Sequence, residues 1–228
     1  VMSGTGGLTL TAGTLTLSGA NTYTGLTTIN AGTLKLGAAG SSTNTPLGTT
    51  GSGTVVASGG TLDLNGYTLG TAEALTISGT GVSSAGALTN SSSTAVTYSG
   101  LLTLGGAATI NASSGNIVLS NSGTITGATY GLTLDGTATG SSLAGIIGTT
   151  SGTVTKAGSG TWTLSGANTY TGGTTISGGT LSVATGGASG SNLSTGSVTI
   201  SGGTLLGNTT GNTISNAIVL STGTNEIA

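Results

Sequence analysis

The sequence predicts an all-β fold, a right-handed single-stranded parallel β-helix (β-solenoid) of about ten rungs, continuous over residues 1–228. Three observations carry this expectation. Two long stretches repeat almost unchanged, a shorter strand-like unit recurs within and between them, and the composition is that of an ordered chain almost without charge.

Residues 14–36 read TLTLSGANTYTGLTTINAGTLKL and residues 161–183 read TWTLSGANTYTGGTTISGGTLSV; 17 of these 23 positions match, 147 residues apart. The shorter unit is Gly-Thr-Leu-x-Leu with close variants, at 13–17, 32–36, 60–64, 160–164, 179–183 and 203–206. Its successive spacings are 19, 28 and, after a degenerate middle at about 80–150, 19 and 24 residues. The middle keeps looser relatives, Leu101-Leu102-Thr103-Leu104, Ile117-Val118-Leu119 and Leu132-Thr133-Leu134. A period of this size, made of short strands and glycine turns, is one coil of a solenoid stacking on the coil before it.

One coil can be followed through 14–36. In Thr14-Leu15-Thr16-Leu17 the two-residue alternation puts both leucines on one face. Ser18-Gly19-Ala20-Asn21 is turn chemistry. Thr22-Tyr23-Thr24 reads as a second short strand ended by Gly25, and Thr27-Thr28-Ile29 as a third closed by Asn30-Ala31-Gly32. Thr33-Leu34-Lys35-Leu36 then restarts the cycle one coil higher, with Leu34 over Leu15 and Leu36 over Leu17. At about 4.8 Å per coil, ten coils make a rod about 50 Å long. Inward Leu, Ile and Val form the core, and outward Thr and Ser solubilise the surface. An immunoglobulin-type sandwich is the rival fold, but its long-range Greek-key pairing fits a corner recurring at 19-residue spacing poorly.

The composition supports order. Gly supplies 47 residues and charged residues only 3%. Disorder combines low hydropathy with high net charge, whereas mean hydropathy here is +0.35 and the net charge is −2. Two lysines and no Arg cannot neutralise a phosphate backbone, so no nucleic-acid partner is expected. No apolar run approaches the roughly 18–20 residues of a spanning helix, and the long strands and aromatic girdles of a barrel are missing, so this segment is not expected to span a membrane. The start, Val1-Met2-Ser3-Gly4, has neither the charged nor the apolar region of a signal peptide.

The run from Leu164 to Val183, LSGANTYTGGTTISGGTLSV, resembles the autotransporter-associated β-strand repeat, also called the passenger-associated transport repeat. The stretch 17–36 matches it nearly as well, and 59–66 and 201–205 are weaker relatives. The resemblance implies a β-helical passenger at the surface of a Gram-negative or related bacterium, in which the repeat is scaffold and carries no catalytic residue. It also implies an export signal and a membrane-anchoring barrel, expected outside this segment unless the chain is secreted or assembled differently.

No catalytic, cofactor-binding or metal-ligating residue is expected, and no cofactor. Parallel β-helices do host polysaccharide-cleaving enzymes, but these need clustered carboxylates. The only acids here are Asp63, Glu73, Asp135 and Glu226, far apart in sequence. Without His, Cys or Arg, neither a nucleophile–base pair nor a transition-metal site can be assembled. Lys35 and Asp63 fill the same outward slot of the short unit. If the 28-residue step is a single long coil they pair across coils; otherwise they are two solvated charges. Ice binding would need an unbroken Thr rank, and in the repeat slot the second Thr survives in only two of six units. Tyr23 and Tyr170 are expected to brace a corner and Trp162 to fill the core, with a sugar-stacking platform as the competing role. Asn-x-Ser/Thr sequons at Asn90, Asn111, Asn192 and Asn208 are expected by chance in so Ser/Thr-rich a chain.

Neither end carries an evident cap, and Ile227 followed by Leu8 would nearly reproduce the spacing of Ile146 and Val154. Self-association end to end, or continuation into further repeats, is therefore expected. The leading role is structural, a stalk or fibre at a bacterial outer surface. The alternative is an adhesin that binds a surface or matrix ligand through the solenoid side, for which the middle at about 80–150 is the candidate region.

Overall fold

Short runs of Thr alternating with aliphatic residues favour strands, and Gly- and Asn-rich segments between them favour corners. The computed structural model describes residues 1–184, 192–207 and 214–228. Every ladder between its strands is parallel, and no α-helix occurs among the described residues. The fold is a parallel β-solenoid of about nine turns.

Three flanks wind around one core. The first stacks Leu8–Leu10, 27–29, 54–56, Leu75–Gly79 and 102–104. It continues through Thr124–Ile125 and Ile146–Ile147, joined by the bridge between Thr103 and Thr126. The second stacks Thr14–Leu17, 33–36, 61–63, Leu88–Thr89, 110–112, Leu132–Gly136, Val154–Lys156, Thr174–Ile176, Val198–Ile200 and Ile218–Leu220. These ten strands enclose nine turns, close to the expected count. The third is a separate sheet of Val96–Tyr98, Ile117–Leu119, Ser141–Leu143, Thr161–Leu164, Thr180–Val183, Thr204–Gly207 and Glu226–Ile227. In the lower coils Thr27–Leu36, Thr54–Asp63 and Leu102–Ala112 are long strands that bend from the first flank into the second.

The inward columns are the expected ones. Leu15 pairs with Leu34 and Leu17 with Leu36. The Leu34 column continues through Leu62, Leu88, Ile110 and Leu134, all fully buried. Each such side chain contributes about 1.5–3 kcal/mol by leaving water. The 28-residue step is indeed one long coil, because Thr33 pairs directly with Thr61. The extra residues lie in 37–53, whose Leu47 folds back into the core and is 1% exposed. One expected strand does not form a ladder. Residues 22–24 make corner hydrogen bonds instead, from Thr22 N to Met2 O, from Thr24 N to Gly4 O and from Thr49 N to Tyr23 O, while the Tyr23 side chain turns inward.

Glycine is required where a coil climbs directly over its predecessor. Gly32 and Gly179 both have positive φ, +85° and +58°, and a Cβ on either would stand 2.3 Å from a carbonyl oxygen of the coil below. The Gly of the short unit thus permits close coil stacking as well as a turn.

Candidate functional site

The repeated corner has the same geometry in both copies. The Tyr23 hydroxyl lies 2.6 Å from Thr27 Oγ1, and Thr27 in turn donates to the Leu47 carbonyl at 3.1 Å. The Tyr170 hydroxyl lies 2.6 Å from Thr174 Oγ1. Both phenols are buried. Burial raises the Tyr170 phenol to about 12 and the Tyr23 phenol in the same direction, each opposed by its Thr partner. Two residues earlier, Asn21 and Asn168 tie three coils together. Asn21 Oδ1 accepts from Met2 N at 2.8 Å and its amide donates to the Pro46 carbonyl at 2.8 Å. Asn168 Oδ1 accepts from Ile147 N at 2.7 Å and its amide donates to the Asn192 carbonyl. This is why the ANTYTG corner recurs unchanged: its polar atoms take up backbone groups that the turn leaves unpaired inside the coil. The tyrosines therefore brace a corner, and no stacking face is open to a ligand.

Trp162 is fully buried, in register with Leu181 and Ser141, and its ring N–H donates to the Asp135 carbonyl at 2.9 Å. It fills the core as expected.

The two copies do not occupy equivalent flanks. Thr14–Leu17 and 33–36 lie on the second flank, whereas Thr161–Leu164 and Thr180–Val183 lie on the third. Thr174–Ile176, the counterpart of 27–29, has moved to the second flank, where it continues the column of Leu34. The upper copy is turned by one flank relative to the lower one. The six slots of the short unit therefore form no single Thr rank for ice to meet: the first three lie on the second flank and the last three on the third. An unbroken Thr rank lies elsewhere, on the second flank, through Thr109, Thr133, Thr155, Thr175 and Thr199. Beside its lower end is a shallow cavity of about 230 Å³ lined by Thr80, Ala107, Thr109, Gly131, Thr133 and Thr153 among others, without a charged side chain.

Lys35 and Asp63 are paired in register, and Lys35 Nζ stands 3.5 Å from Asp63 Oδ2. The pair is anchored on the coil above. Asp63 Oδ1 accepts from Asn65 N at 2.9 Å and from Ser91 N at 3.0 Å, and Oδ2 accepts from Ser91 Oγ at 2.6 Å.

Lys156 and Glu73 point inward, although nothing in their local sequence pattern marks them as core positions. Lys156 occupies the column between Leu134 and Ile176 and is fully buried. Its ammonium donates to the carbonyls of Ala157, Gly158 and Gly178, the latter two at 3.0 and 3.2 Å. Burial lowers it to about 8, partly offset by Asp135. Glu73 is also fully buried. Thr54 Oγ1 donates to its Oε1 at 3.1 Å, and its Oε2 has no partner. Burial raises this carboxyl to about 7, with the Thr54 hydrogen bond opposing.

No group of three or more potential metal ligands occurs among the described residues. Of the sequons, Asn90 is fully buried and holds Gly66 N and the carbonyls of Thr94 and Asn116; Asn192 is buried and donates to the Gly166 carbonyl. Asn111 keeps a buried Oδ1, and Asn208 lies outside the described residues.

Fold and corner together define a repeat-built β-solenoid whose repeated polar residues serve coil stacking. Residues 12–36 and 154–183 match the family model described as passenger-associated-transport-repeat. The two matches coincide with the two corner copies. No curated protein and no solved structure matches the chain.

Proposed function

We propose that this chain is a non-catalytic structural segment of a secreted or surface-exposed bacterial passenger, a stalk or fibre element at the outer surface of a Gram-negative-type cell. The observation that carries the reading is the coincidence of the two repeat matches with stacked, bonded corners inside one parallel solenoid. The polar groups a site would need are instead spent on stacking: Asp63 on Ser91 and Lys35, Asn21 and Asn168 on backbone, Lys156 on carbonyls. A chain without His, Cys or Arg adds to the case against catalysis.

The reading includes end-to-end growth. The second flank reaches a strand whose Val219 and Leu220 are 50% and 61% exposed, and the third reaches Ile227 at 52%. Leu220 and Ile227 each continue a column that is buried in the coils below, through Ile200 and Leu205, whereas Val219 follows the outward Thr199; another coil, from a second copy or from further repeats, would bury Leu220 and Ile227 by parallel strand addition. Immunolabelling of intact and permeabilised cells expressing the full protein tests the location: equal signal is expected, and signal only after permeabilisation would refute it. Electron microscopy of the purified chain tests growth: rods lengthening with concentration are expected, and single short rods at every concentration would refute it.

An adhesin is the second reading. It is favoured by the cavity beside Thr109 and Thr133, which falls in the middle segment. Binding to glycans or matrix proteins that Thr133→Lys abolishes would select it over the purely structural role.

A further inference from the structure

The corner clasp of the repeat is a phenol bonded to an inward Thr, Tyr23 to Thr27 in the lower copy and Tyr170 to Thr174 in the upper. One coil above Thr27, its register partner Thr54 is equally buried. Its partner is the carboxyl of Glu73, contributed by the next coil. Glu73 thus serves as the polar partner of this inward Thr from the coil above, where the repeat supplies a tyrosine from the same coil.

Its surroundings offer a charge a single donor, Thr54 Oγ1, and no cation. The Tyr98 hydroxyl donates to the Glu73 main-chain carbonyl at 2.7 Å, not to the carboxyl. The titratable groups facing the carboxyl, among the described residues, are the phenols of Tyr23 and Tyr98, and both are pushed up in part by it. Glu73 is shut away from solvent, and the coil above packs tightly on its backbone: a Cβ on Gly100 would stand 1.6 Å from the Glu73 main-chain carbonyl oxygen. Oε2 is left without a partner. An ionised carboxylate held this way is strongly disfavoured, whereas a neutral one is a fair replacement for a phenol.

We propose that Glu73 is a proton-operated clasp, which closes the corner between Thr54 and Leu75 when protonated and loosens it when ionised. The hydrogen bonds that report on it are Thr54 N to the Ala74 carbonyl and Leu75 N to the Leu101 carbonyl, both 2.9 Å. The carboxyl value of about 7, raised from 4.5, agrees with this geometry. The sign follows from linkage: a group raised in the folded state stabilises fully below its unfolded value, and that contribution is lost as the pH rises through the folded one.

Amide hydrogen exchange on the whole chain, corrected for intrinsic rates, tests the proposal. Between pH 5.5 and 8.5 the protection of Thr54 and Leu75 falls by about thirtyfold, the ratio that linkage gives for a group moving between 4.5 and about 7. Protection of Leu181, on the third flank far up the rod, stays constant. In Glu73→Gln the fall at Thr54 and Leu75 disappears. Flat protection in the unmodified chain, or an undiminished fall in Glu73→Gln, would overturn the clasp. A second measurement needs no variant. The chain has two glutamates, Glu73 and Glu226, so carboxyl-labelled glutamate gives two resonances. A resonance titrating near 7 supports the proposal, and the lack of any resonance titrating there refutes it.

Discussion

Leu15 and Trp162 hold the same position in two near-identical repeats, yet they face the core from different sheets. Leu15 pairs with Leu34 on the second flank, and Trp162 pairs with Leu181 on the third. From Leu15 the second-flank register steps through Leu34, Leu62, Leu88, Ile110 and Leu134 to Lys156, six turns. Trp162 lies one flank further. The repeat therefore specifies a corner and its two neighbouring strands, and the number of residues between copies decides where around the axis that corner falls.

The column of leucines sets the stability of the rod. Leu62→Ala, at a fully buried position between Leu34 and Leu88, is expected to destabilise by about 2–5 kcal/mol. Leu15→Ala, at a partly buried position on the first coils, is expected to lose clearly less. Denaturant midpoints of the two variants check the order.

The phenol–Thr clasp contributes through its hydrogen bond. Tyr170→Phe and Thr174→Val each remove one member of a buried 2.6 Å contact and are expected to cost about 1–2 kcal/mol. The double variant is expected to cost less than the sum, because neither single variant leaves the contact intact. A thermodynamic cycle from urea unfolding measures the difference.

Asp63 matters more than the cation beside it. Lys35 is partly solvated, so Lys35→Ala is expected to cost at most about 1 kcal/mol, and less in high salt. Asp63→Ala strands the Ser91 and Asn65 amides and is expected to cost about 1–3 kcal/mol with little salt dependence. Unfolding at two ionic strengths separates the two cases.

Lys156 is expected to give the chain an alkaline stability limb. Its folded value of about 8 lies below the usual 10.5, so the unfolded chain binds more protons between these values and stability rises with pH across that window. Lys156→Met keeps the volume in the core, is expected to be neutral or stabilising, and abolishes the rise. Thermal unfolding from pH 7.5 to 10.5 checks both statements.

Much of this architecture is legible in the residues. The alternation in Thr14–Leu17 and its return 19 residues later fix which leucines stack, and the same slot brings Lys35 against Asp63. The one-flank turn of the upper copy is not legible, because coils of 19 to 28 residues absorb their extra length in corners, such as 37–53, that leave no mark on the strand pattern. Glu73 and Lys156 escaped for a related reason. A lone charged residue in a Thr-rich stretch reads as solvated, and only the register that places Lys156 between Leu134 and Ile176, or Glu73 against Thr54, turns it inward.

A rod that displays one motif at two azimuths cannot be gripped twice from the same side. A bivalent ligand that recognised the outer surface of the ANTYTG corner would have to wrap partway around the shaft to reach its second copy six turns higher, so avidity along such a solenoid depends on how the spacing between copies is phased, not only on how many copies there are.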